Sequence, residues 1–153
     1  MIDTPEIVQT TAQQTAVIHL TIPRDQIQTV MGPAIEEVIA TVAAQGITPA
    51  GRLFDRHFAM NDATFDFEVG VPVATPVAPV GRVYAGELPA VRAARTIYHG
   101  GYEGLGAAWG EFDAWLTAHG YVTAPGLREH FLVGPDSGLD AGQWRTELVH
   151  PLA

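Results

Sequence analysis

An α+β fold made of two similar halves, each running strand, helix, strand, strand, is what the sequence predicts. Three observations predict it. The stretch FDFEVGVPV (Phe65 to Val73) aligns with WRTELVHPL (Trp144 to Leu152), setting Phe65 on Trp144, Glu68 on Glu147 and Pro72 on Pro151. Upstream, QGITPAG (Gln45 to Gly51) matches HGYVTAPG (His119 to Gly126), and DRHF (Asp55 to Phe58) matches REHF (Arg128 to Phe131). Three matches in one order mark an internal repeat whose loops differ in length. Finally, each half carries one stretch of helical periodicity among stretches that alternate like strands.

In the first half AVIHLTI (Ala16 to Ile22) is predicted as a strand. A helix follows, with Ile35, Val38, Ile39 and Val42 on its apolar side and Glu36 and Glu37 in water. Pro33 suits its first turn, after a short separate turn around Gln26 to Met31, and Gly46 suits its C-terminal cap. In the second half Val91 to Gly100 is the strand. Leu105 to Gly120 is the helix, with Leu105, Ala108, Trp109, Phe112, Trp115 and Leu116 recurring at three and four, and Gly120 as its cap. REHFLV and the closing strand from Trp144 complete it. The domain is expected to span 1–153, as halves 1–73 and 80–153 joined by the proline-rich connector PVATPVAP, with GRVYAGELPA (Gly81 to Ala90) leading into the second half.

Side chains alternate across a strand. If Phe65, Phe67, Val69 and Val71 pack under the first helix, Glu68 faces away from it, and by the same parity Glu147 faces away from the second. A helix covers only one face of such a sheet, so both carboxylates are expected to point into a cleft where the halves meet. A desolvated carboxylate there can capture a cation when ionised or act as an acid when protonated. The structural alternative is an ion pair, with Arg145 for Glu147 and with any nearby arginine for Glu68.

Composition narrows the function. The 153 residues are 47% hydrophobic and 16% charged, which describes a globular chain. A net charge of −9 without a basic cluster argues against nucleic-acid binding and favours a cationic or neutral small molecule. The absence of cysteine removes disulfides, thiolate nucleophiles and thiolate metal sites. Neither a signal-peptide pattern nor a run of about 20 apolar residues is present, so no membrane is expected and the cytoplasm is the expected location. Ser137, the sole serine, lies in a turn and not in a nucleophile elbow. His99-Gly100-Gly101-Tyr102 lacks the spacing and lysine of a phosphate loop. His57 and His130, at matching repeat positions, have no metal-ligand spacing, so neither a metal nor a cofactor is expected.

Taken together, YHGGYEGLGAAWGEFDAWLTAHG (Tyr98 to Gly120), WRTELVHPL, FEVGVPV and GELPA resemble the GyrI-like small-molecule-binding domain, also found as the effector-binding domain of multidrug-sensing transcription regulators. The resemblance covers essentially the whole chain. It implies a groove for amphipathic, often cationic aromatic ligands, with Glu147 attracting the charge and Tyr102 contributing a ring. Trp109, Phe54, Tyr84 and Phe131 are the further candidates for stacking, with Glu68 as the second carboxylate. The chain departs from the regulators in showing no helix-turn-helix, and Phe131 stands where the family often has an aromatic hydroxyl. A stand-alone binder is therefore expected, acting by sequestration or through a regulator or other partner protein. The alternative is a hydrolase opening strained cyclopropane rings, with Glu147 catalytic and Tyr102 assisting. A third class, resembling the gyrase-inhibiting relatives, would use an acidic outer surface to bind a protein.

Overall fold

The computed structural model describes residues 1–60 and 63–153. They form eight strands and two helices: β1 (Glu6–Gln9), β2 (Gln13–Pro23), α1 (Ile27–Ala44), β3 (Phe54–Met60), β4 (Thr64–Pro72), β5 (Tyr84–Leu88), β6 (Arg92–His99), α2 (Leu105–Ala118), β7 (Leu127–Val133) and β8 (Arg145–Pro151). Contacts divide the chain into two compact units, Thr11–Ala90 and Met1–Thr10 with Val91–Ala153. The α+β class and the antiparallel pairing agree with the sequence, while each unit carries one strand beyond the expected strand, helix, strand, strand order.

In the unit Thr11–Ala90 the strands pair antiparallel in the order β5, β2, β4, β3. Ala16 and Ile18 of β2 and Phe67, Val69 and Val71 of β4 pack with Ala34, Val38 and Val42 of α1. Each large apolar side chain so buried stabilises the unit by roughly 1.5–3 kcal/mol. Helix α1 differs from expectation at two points. It starts at Ile27 and runs unbroken through Pro33, so the separate turn is its first two turns, entered from a 3-10 turn at Arg24–Gln26. Ile39 is 49% exposed, and Ala34 and Thr41 take core positions instead. The connector joins this unit: Val77 is buried, and the Gln45 amide bonds both the Ala78 carbonyl (2.8 Å) and the Ala78 N–H (2.8 Å).

In the other unit the order is β1, β6, β8, β7. Phe112, Leu116 and Ala108 of α2 pack on Ala94, Tyr98 and Leu148, with Leu105, Trp109 and Trp115 at the margin, as the periodicity implies. Both helices are followed by a glycine in the left-handed region, Gly46 (φ 66°) and Gly120 (φ 77°), where a Cβ would be strained.

Two edge strands cross the line expected between the halves. β1, which has no clear sequence signal, pairs with β6, and β5 pairs with β2 rather than leading into the second half. The compact units therefore do not coincide with residues 1–73 and 80–153. A second difference concerns register. Arg56 lies across from Glu68 and His130 across from Glu147, and a β-bulge follows each, between His57 and Ala59 and between Phe131 and Val133. DRHF and REHF thus correspond with a slip of one residue, and one residue reverses the face. His57 stacks on Phe67 of the α1-side core (centroids 5.0 Å), whereas His130 shares the opposite face with Glu147. They are not matching positions.

His150 carries a pH signature. It lies edge-on to Trp109 and Phe112, with Nδ1 3.0 Å from Asp113 Oδ1. Burial holds its pKa below the ordinary imidazole value, outweighing Asp113, and burial lowers His130 likewise. An unfolded histidine takes its proton near pH ~6.5 while the folded one resists. Stability is therefore full above that pH and falls as pH drops through it, by at most about 1.4 kcal/mol per pH unit for each histidine. Thermal melts from pH 8 to pH 5.5 should show this slope, and His150→Leu should make it shallower.

Candidate functional site

The site is built on the face of β6, β8 and β7 that α2 leaves uncovered. Cross-strand partners share a face. Register gives three rows on it: His99, Arg145 and Val133; then Ile97, Glu147 and His130; then Arg95, Val149 and Arg128. Glu147 occupies the middle of the middle row, facing away from α2 as the parity implies.

Its cation is Arg95 and not Arg145. Arg95 Nε and Nη2 donate to Glu147 Oε2 at 3.0 and 2.8 Å, and Arg95 Nη1 donates to Glu6 Oε1 on β1. Burial opposes the guanidinium charge, and the bonds from Glu6 and Glu147 outweigh it, holding Arg95 above its ordinary pKa. Two carboxylates share one guanidinium, so this group carries one net negative charge. The Glu147 side chain stays 23% exposed. Beside it, burial and Arg128 disfavour protonation of His130 against the pull of Glu147, keeping the imidazole neutral at pH 7.

Next to Glu147 the same face opens into a cleft of about 400 Å³ lined by His99, Val133, Arg145, Leu139, Gly142 and Gln143. The last three come from the loop between β7 and β8. That loop is held by Ser137 Oγ donating to the Gly134 carbonyl (2.6 Å), Gln143 N–H to the Asp140 carbonyl (2.8 Å) and Trp144 Nε1–H to the Leu139 carbonyl (3.0 Å). His99 is tied to Asp3 at 2.9 Å.

The other expected residues fall into two groups. In the unit Thr11–Ala90, Glu68, Phe54 and Tyr84 share the face away from α1. Glu68 is buried, 3.6 Å from Arg56 Nη1, which also donates to the Glu87 carbonyl. Phe54 is fully buried with Val17 and Leu88, whereas Tyr84 is 37% exposed, its phenol pKa raised by burial and by Glu68. In the other unit Tyr102, Phe131 and Trp109 lie on the α2 side. Tyr102 packs on Phe131 and Trp144 at centroid distances of 5.6 and 5.0 Å, with its pKa raised by burial, Asp136 and Glu129. Trp109 donates Nε1–H to Glu129 Oε2 at 2.9 Å. Within this unit Glu147 therefore stands apart from all three rings, across the thickness of the sheet.

Sequence reasoning missed Arg95, Glu6 and His130 around Glu147, and His99 and Gln143 at the cleft. Once β6 and β8 are paired, the parity of RAART points Arg95 at Glu147. The pairing offset was the missing quantity.

The sequence profile of the GyrI-like small molecule binding domain matches residues 3–153. The chain belongs to that family. Among solved structures, this GyrI-like chain is similar to the C-terminal domain of EcmrR, at 19% identity and a TM-score of 0.85, over 98% of this chain and 97% of that one. It spans only 57% of EcmrR as solved in a DNA complex. It is also similar to a hydrolase from Listeria innocua (10% identity, TM-score 0.66, 97% and 91% covered). A third likeness is to a protein solved with tetraphenylphosphonium (11% identity, TM-score 0.65, 99% and 94% covered). At these identities the likenesses establish the fold. No curated protein sequence matches the chain closely. No helix among the described residues is long and apolar enough to cross a membrane.

Proposed function

We propose that this GyrI-like domain binds hydrophobic small molecules, cationic or neutral aromatic, at Glu147. It acts without a metal or cofactor, by sequestering the ligand in the cytoplasm or presenting it to a partner protein. The observation that carries the reading is the sharing of Arg95 between Glu6 and Glu147. One net negative charge is left on this three-residue group, at a half-buried surface beside Ile97 and Val149, with Arg128 across from Val149 on the same face. A lipophilic cation supplies the missing charge and covers the apolar neighbours in one step, which a hydrated metal ion does not do. The fold shared with a tetraphenylphosphonium-bound protein is consistent with this ligand class.

The test is calorimetric titration with tetraphenylphosphonium. Glu147→Gln removes the charge and keeps the shape. A charge contact is worth about 1.5–3 kcal/mol when desolvated, so affinity should drop about tenfold, the low end reflecting the partial exposure. Glu36→Gln, on the exposed side of α1, should change nothing. Equal affinity of the wild-type chain and Glu147→Gln removes Glu147 from the site.

A second reading, hydrolysis of a strained cyclopropane electrophile, draws on the neutral His130 across from Glu147. A carboxylate beside a neutral imidazole is a pair that can hold water and take its proton. Water addition to such an electrophile, followed by mass spectrometry and lost in Glu147→Gln, would establish it. Absence of turnover over several electrophiles leaves binding alone.

A further inference from the structure

Arg145 is set apart from the other charged groups on the Glu147 face. Arg95 is held by Glu6 and Glu147, and His99 by Asp3. The Arg145 side chain makes no hydrogen bond or ion pair among the described residues, and Arg145 lines the cleft of about 400 Å³. Gln143, which carries an amide, lines the same cleft, as do the apolar Val133 and Leu139. The cleft lining thus includes a cation and an amide, and Glu147 lies two residues further along β8. Strand geometry separates side chains at i and i+2 by about 7 Å.

We infer that Arg145 and Gln143 form an acceptor subsite for a carboxylate carried by the ligand, so that the preferred ligands are aromatic zwitterions whose cation meets Glu147 and whose carboxylate meets Arg145. The inference rests on the proposed role of Glu147. A guanidinium with open donors is suited to a carboxylate, since charge-assisted bonds of this kind are short and directional. A dianionic phosphate is disfavoured, because the Glu6–Arg95–Glu147 group is net negative and the whole chain carries −9. Gly142 at the edge of the cleft has room to spare, as an added Cβ meets no atom within 4 Å.

Two fluorescent probes separate the contributions. Rhodamine B has an aromatic cation and a free carboxylate, and its ethyl ester keeps the cation and loses the anion. The wild-type chain should bind the acid about fivefold more tightly than the ester, a modest ratio because Arg145 is exposed. Arg145→Met should bring the two affinities together, and Arg145→Lys should restore part of the preference. Glu147→Gln should weaken both dyes while keeping their ratio. Gly142→Leu, which narrows the cleft without touching any charge, should weaken both, and it serves as a second folded variant should Arg145→Met prove unstable. Equal binding of acid and ester by the wild-type chain overturns the proposal, as do an unchanged ratio in Arg145→Met and a failure of rhodamine B to bind. If the ratio collapses in Arg145→Met while Glu147→Gln changes nothing, the carboxylate subsite stands and the reading of Glu147 fails.

Discussion

Gly70→Ala should destabilise the chain by about 3 kcal/mol or more, the upper end of the cost of forcing extra atoms into a packed interior. Gly70 lies in β4 across from Val17 of β2 and Phe54 of β3. An ideal Cβ there would sit 2.0 Å from the Ala16 carbonyl oxygen, 2.9 Å from its carbon and 2.8 Å from Val17 Cγ1. Two of those atoms are backbone, so no rotamer change relieves the overlap. The strands would have to part at a place where Val69 is fully buried and Val71 nearly so. Gly110→Ala is the internal control. Gly110 lies in α2 with nothing within 4 Å of an added Cβ, so alanine should raise stability by up to about 1 kcal/mol through helix propensity. Urea unfolding measures both. Wild-type stability in Gly70→Ala would mean that β2 and β4 do not approach as described.

The same residue shows how far the sequence could be read. FEVGVPV was recognisable as a strand with its glutamate on the face opposite the phenylalanines, because alternation is a local property. Phe67 and Val69 under α1, and Phe112 and Leu116 of α2, followed from period alone. Why position 70 must be glycine was not legible, since the obstruction belongs to a strand some fifty residues earlier. Glu147 repeats the lesson. Its face was set by parity, but the ion-pair alternative named Arg145, two residues along its own strand, and the arginine it meets is Arg95 on the neighbouring one. The slip between DRHF and REHF came from aligning letters where pairing counts residues around a bulge. The family resemblance grouped Tyr102 and Phe131 with Glu147, although Phe131 pairs with Thr146 and so points to the other side. Strand pairing is non-local, and each of these differences is a pairing offset.

Arg95→Met should weaken the fold and strengthen cation binding at once. The substitution keeps an apolar stem of similar length and deletes the guanidinium that Glu6 and Glu147 share. Breaking a fully buried pair costs about 3–5 kcal/mol, and with Arg95 30% and Glu147 23% exposed the loss here should be nearer 2. The charge of the group formed by Glu6, residue 95 and Glu147 goes from one negative to two. Tetraphenylphosphonium should then bind about tenfold more tightly at pH 8, as one further desolvated contact implies. The gain should shrink toward pH 6. His130 lies across from Glu147, and its pKa is held down by burial and by Arg128 against the attraction of that carboxylate. With Arg95 gone the uncompensated carboxylates favour a proton on His130, and the imidazolium restores part of the lost positive charge. Calorimetric titrations at pH 8 and pH 6 read both effects. If affinity falls along with stability at both pH values, Arg95 is needed to aim Glu147, and the ion pair is part of the fold and not the neutralised half of a cation site.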